Sequence, residues 1–422
     1  MPKKRKPNLY QQNKIASAQH KNEFLAKTKY IINAATGKNT YELIPKTTLD
    51  ILYEVKCLPL LIKADDKLKI SKDLLKFLKG FIPYYLKQKK VQLYDTAVNI
   101  TIHDYFTVYL SIYSCRNIIN DKIIQNAGKI KEELKIFEDL DTMFNRSLLI
   151  LLEILNNLSL INLDFHKPMI YFDFDSKMAS GGRVNLQCEL IIKSINPEIA
   201  HLELNKECRP LIRIGFPNGF DKIAWISIKP SDLNVVNTFA QIPHDVYIQS
   251  HALNRMNERL DCIDHLMLMN FFQLSLTFKP RMCFDIYKNM MLEFCLGGIK
   301  VGYMPFEIMD GKIVIKTFLF ITASSTPEGA MLEKYSGLNK AEMKYLGIDK
   351  LSTFINSDID KNKELQVFLR KTGCQNLIDL HIGYRKGFID TGNSQNLIKM
   401  MDLIGKNKDF QKESELLMNT EV

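Results

Sequence analysis

Near residue 164 the hydrophobic pattern of this chain changes period, and that change limits the fold more than any single motif does. From about 26 to 163, apolar residues recur at three- and four-residue steps, as in Ile51-Leu52-Tyr53-Glu54-Val55 and Leu74-Leu75-Lys76-Phe77-Leu78. That spacing predicts amphipathic helices, with Pro45, Pro59 and Pro83 as punctuation. Beyond 164, Met169-Ile-Tyr-Phe-Asp-Phe-Asp175 and Val184–Ile192 are rich in strand formers and partly alternate. Ser180-Gly181-Gly182-Arg183 reads as the hairpin turn between them. Helices and strands are thus segregated along the chain, which predicts an α+β fold.

A chain of 422 residues exceeds one ordinary core, so several units are expected. Residues 1–25 read as a flexible basic arm and 26–163 as a helical domain. Residues 164–240 read as an antiparallel β region and 241–337 as a small α+β unit. A C-terminal helical segment follows at 338–405, and a polar tail at 406–422. The opening Pro-Lys-Lys-Arg-Lys has the composition of a nuclear-import cluster, and equally of a solvated or nucleic-acid-touching tail.

Composition narrows the class. Hydrophobic residues at 46% and charged residues at 25% are those of a globular protein. A net charge of +10 favours a polyanionic partner, although a Lys-, Ile- and Asn-rich composition also follows from an AT-rich coding sequence. The eight cysteines are scattered and form no C-x-x-C pair, which predicts reduced thiols and no zinc site. No apolar stretch follows the basic start, and the apolar run 148–163 is broken by Glu153, Asn156, Asn157 and Ser159. A cytoplasmic protein without a membrane span is therefore expected.

One short stretch carries a chemical pattern. In His251-Ala-Leu-Asn-Arg255-Met-Asn-Glu-Arg259 the titratable and cationic residues fall at i, i+4 and i+8, along one helix face. Only 11 of the 57 basic residues are arginines, and two of those continue the line begun by His251. A histidine beside two guanidinium forks suits a phosphodiester. The same pattern also describes a solvated helix face.

The order of elements around this ladder is informative. A short strand Val246–Ile248 precedes it, a second helix follows at about 262–276, and strands end in Phe318-Leu-Phe-Ile-Thr322. This arrangement, with His-Ala-x-x-Arg, resembles the small metal-independent ribonuclease toxins, BrnT-like and RelE/ParE-like, of the barnase–EndoU–colicin–RelE group. The resemblance covers about 245–330. It implies RNA cleavage by attack of the 2′-hydroxyl on the adjacent phosphorus. His251 would carry a proton, and Arg255 and Arg259 would clamp the phosphate. Thr322, Thr326 and Glu328 are available at the exit of the last strand as substrate-binding partners. Thr326-Pro327-Glu328 also has the simpler reading of a helix N-cap. The small toxins of this group are free-standing, whereas here the unit lies inside a longer chain.

Other constellations are weaker. Asp173 and Asp175 lie two apart on a strand and would share a face, as a Mg²⁺ site needs, but outward carboxylates explain them as well. His381-Ile-Gly-Tyr384-Arg385-Lys386 is basic and aromatic, and reads equally as a solvated surface. His103 and His166 read as structural. No phosphate-binding glycine loop, nucleophile elbow or H-E-x-x-H occurs. The leading expectation is a toxin-like or defence-associated endoribonuclease with RNA and an antidote or other protein as partners, needing no cofactor or metal. A non-catalytic nucleic-acid-binding or scaffold protein is the alternative, and a metal-dependent nuclease ranks third.

Overall fold

The computed structural model describes residues 9–385, apart from 117–118, 120–126, 181–183, 205–206, 219–221, 236–239 and 338–339. The basic cluster at 3–6, the glycines of the 180–183 turn, Lys386 and the polar tail lie outside the described residues. The fold is α+β, with helices flanking mixed and antiparallel sheets.

The first helix, Leu9–Thr36, runs through the boundary expected at residue 25, so residues 9–25 belong to a helix rather than an arm. Its buried residues Phe24, Ile31, Ile32 and Ala35 anchor its C-terminal half in the core. Within the region read as wholly helical, Leu58–Ala64 is a strand. It lies parallel to Val184–Ile195, which pairs antiparallel with Met169–Ser180, giving a three-stranded sheet among the described residues. A seven-residue apolar run with Pro59 near its start has no helical length. It gains its backbone partners from a segment about 130 residues away.

Among the described residues the second sheet contains nine strands. Its path runs from Met282–Phe284 through Met290–Leu296, Ile299–Met309, Lys312–Ile315, His244–Gln249 and Glu207–Arg213 to Ile199–Leu204. Ser227–Ile228 and Leu319–Phe320 pair beside this path. The strand-helix-helix-strand order expected after 245 is present, and Lys312–Ile315 returns parallel to His244–Gln249.

The expected 164–240 region is therefore not one unit. Its hairpin joins the first sheet, and its strands at 199–213 join the second. The core is continuous across the expected boundaries. Phe165, Phe216 and Phe272 meet edge to face with ring centres 5.7–6.1 Å apart, joining the loop after helix Leu140–Ile161, a short strand and helix His265–Thr277. Helix Leu140–Ile161 is long and apolar enough to cross a membrane, but its Leu151, Ile154, Leu155 and Leu158 are buried in this core.

Candidate nucleic-acid interface

Strand His244–Gln249 leads directly into helix Ser250–Arg259. Ala252, Leu253 and Met256 are buried, and they set the helix rotation by packing onto the sheet side. His251 is left exposed, with Arg255 partly exposed one turn on. Arg255 Nη1 donates to Glu258 Oε2 at 2.9 Å on the same surface. Such an exposed pair contributes little and yields readily to a phosphate.

Arg259 behaves differently. Each four-residue step advances about 40° around a helix, so two steps carry the ladder about 80° from His251 toward the packed side. There Arg259, 16% exposed, is ion-paired with Asp349, 18% exposed. Burial, and then the neighbouring Arg255, pull its guanidinium below the usual range, although arginine remains a cation. The turn after the helix is fastened to the same downstream strip. Asp261 accepts from Ser352 N–H at 3.0 Å and from Ser352 Oγ at 2.7 Å.

The residues expected after the last strand divide between structural roles. Thr322 is buried, and its hydroxyl donates to the Ile348 carbonyl at 2.7 Å. Thr322 and Arg259 therefore meet adjacent residues, Ile348 and Asp349. Thr326 is fully buried and caps helix Pro327–Ser336, accepting from Gly329 N–H at 3.0 Å. Its hydroxyl lies 2.6 Å from the Ile321 carbonyl and 2.7 Å from that of Ala323. Glu328 belongs to a different network. Both its oxygens accept from Tyr303 Oη at 2.8 Å, and Lys300 Nζ lies 2.6 Å away. Burial lowers the Lys300 pKa, but the Glu328 hydrogen bond and the charges of Glu328 and Glu293 together outweigh it, and the net shift is upward. Burial and the Glu328 charge push the Tyr303 phenol well above its usual value.

The structure thus places His251 and Arg255 on one surface, takes Arg259 and Thr322 into contact with the 348–349 strip, and buries Thr326 and Glu328. Asp349, Lys300 and Tyr303 were not legible as partners, since none lies within helical reach in sequence. Asp173 is ion-paired with Lys193, which accounts for it as a sheet-surface carboxylate. Among the described residues no three His, Cys, Asp or Glu side chains converge as a metal group. Cysteines 57, 188, 208, 262, 283, 295 and 374 are free thiols. His381 is buried, its ring nitrogens 3.0 Å from the Phe354 carbonyl and 3.2 Å from Asp360 Oδ1, so it is not a surface contact.

In comparisons with known proteins, no family model, no curated protein and no solved structure matches this chain. The likeness to ribonuclease toxins rests on the residues quoted above alone.

Proposed function

We propose that the protein is a cytoplasmic RNA-binding protein that grips phosphates and does not cut the strand. One observation carries this reading: Arg259, which a phosphorane clamp would need, is held in a mostly buried pair with Asp349, while His251 and Arg255 remain on the outward face. Two outward groups one helical turn apart can hold a phosphate; the assembly needed to stabilise its transition state is not free. The net charge of +10 supports a polyanionic partner. The test is fluorescence anisotropy with labelled RNA across a salt series, with His251→Ala and Arg255→Ala. Both variants should bind more weakly, Arg255→Ala with a shallower salt dependence, and no fragments should form with or without EDTA. Salt-independent binding, or binding untouched by either substitution, would remove the reading.

A second reading is the metal-independent endoribonuclease, toxin-like and with an antidote partner. It is favoured by exposed His251 standing one turn from Arg255, where an imidazole can exchange a proton with a bound phosphodiester. Fragments ending in 2′,3′-cyclic phosphate in EDTA, absent with His251→Ala while binding persists, would establish it over the first.

A further inference from the structure

From the geometry of its second sheet we infer that the protein carries a separate site for single-stranded RNA, on the rim formed by residues 278–288. The inference rests on the RNA-binding reading and names the form of strand bound. Helix His265–Thr277 ends where Lys279 takes a left-handed backbone, φ +51°, and Pro280 follows. The chain then forms the edge strand Met282–Phe284 and a turn back into Met290–Leu296. An edge this exposed is expected to carry polar or charged side chains. Here the strand ends in exposed Phe284, and the rim on either side of it carries Phe278, 74% exposed, and Tyr287, 72% exposed.

Basic residues alternate with these rings. Lys279, Arg281 and Lys288 are exposed, against one acidic residue, Asp285. Asp285 is turned into its own loop, where Oδ1 accepts from Tyr287 N–H at 2.8 Å and Asn289 N–H at 2.7 Å. Lys279 and Lys288 enter no ion pair among the described residues. Two hollows, of about 480 and 690 Å³, meet at Lys279, Arg281 and Glu293. The smaller has an apolar wall that includes Phe271, Leu274 and Phe278. Glu293 is already offset there by Arg281 at 3.0 Å and Lys300 at 3.7 Å.

Exposed rings interleaved with cations, beside an apolar hollow with basic residues in its wall, match an unstacked base next to its phosphate. A duplex keeps its base faces covered and cannot use the rings. The preferred ligand is therefore a single strand, with bases on Phe278 and Tyr287 and phosphates on Lys279 and Lys288.

The test is anisotropy with fluorescein-labelled oligouridine 12-mer and an RNA duplex of equal length, using wild type, Phe278→Ala, Lys279→Ala and Tyr345→Ala. Tyr345 is the most exposed large hydrophobic residue elsewhere among the described residues and serves as control. The wild type should prefer the single strand, and Phe278→Ala should lose roughly five- to a hundredfold in affinity for it. Lys279→Ala should reduce the salt slope by about 0.7, and Tyr345→Ala should change nothing. Oligouridine binding unaffected by Phe278→Ala would overturn the inference and leave the His251 surface standing. Failure of the wild type to bind either RNA would overturn both. Self-association lost in Phe278→Ala, with RNA binding unchanged, would assign the rim to a second copy of the chain and overturn the inference.

Discussion

Asp349 closes on Arg259 from 90 residues downstream, tying the C-terminal end of the His251 helix to the segment that precedes helix Leu351–Ile355. Both side chains are mostly buried, so removing either leaves an uncompensated charge. Arg259→Ala and Asp349→Ala should each cost about 2–3 kcal/mol, below the range for fully buried pairs because some solvent reaches this one. The double variant should cost clearly less than the sum. Urea unfolding of the four proteins measures this directly. If Arg259→Ala kept wild-type stability but lost RNA affinity, the arginine would be a ligand clamp after all.

Glu328 should prove a stability residue rather than a substrate contact. It receives the Tyr303 hydroxyl and the Lys300 ammonium in a pocket it shares with Gly373, where a built Cβ would lie 3.3 Å from Glu328 Cγ. Glu328→Ala strands both partners and should lower the unfolding free energy by about 2–4 kcal/mol. RNA affinity per folded molecule should not change. A loss of affinity at unchanged melting temperature would return Glu328 to the ligand site.

The contrast between these two residues and His251 shows what the sequence could carry. Periodicity reported the helix Ser250–Arg259, the strand before it and the helix after it, because those depend on spacing within a few turns. It also reported the Thr326 cap, whose partner Gly329 is three residues away. Leu58–Ala64 was misread as helical because its partner strand lies far along the chain, and a short apolar run has no period of its own. The expected boundary at 240 failed for the same reason: strand Glu207–Arg213 pairs with His244–Gln249 across it. The fate of Arg259 was likewise set at position 349, where local pattern is silent. Phe278, Phe284 and Tyr287 look like core residues by composition. Only their exposure marks them as a surface.

The Thr326 turn should tolerate almost no change. Thr326→Ser keeps the hydroxyl and should cost under about 1 kcal/mol. Thr326→Ala loses the cap and leaves the Gly329 amide without its partner, for about 2 kcal/mol. Gly329→Ala should be worse than either, because a Cβ there would lie 1.9 Å from the Ala323 carbonyl oxygen, and backbone cannot yield as a side chain does. Thermal unfolding should rank the three variants in that order. A stable Gly329→Ala protein would mean that the turn can open without cost.

Acid should weaken the N-terminal region through Asp104. Burial raises its pKa, but the His103 ring 3.6 Å away, the Lys27 ammonium at 2.6 Å and the Thr101 hydroxyl together outweigh burial and hold the carboxyl down at about 2. Its side chain is 14% exposed, whereas Lys27 is half exposed and its contribution is screened. With the folded pKa below the unfolded value of about 3.9, the stabilisation is present above that value and lost as pH falls through the folded pKa. The shift corresponds to at most about 2.6 kcal/mol and, discounted for screening, to about 1–2 kcal/mol. Asp104→Asn should therefore be less stable than wild type by that amount at pH 7. The gap should narrow between roughly pH 5 and pH 2 as the wild type takes up the proton. Urea midpoints of the two proteins across that range are the measurement. Because every other carboxylate titrates in both proteins, only the difference between them reports Asp104, and a gap that stays constant with pH would show that its charge is not what stabilises the fold.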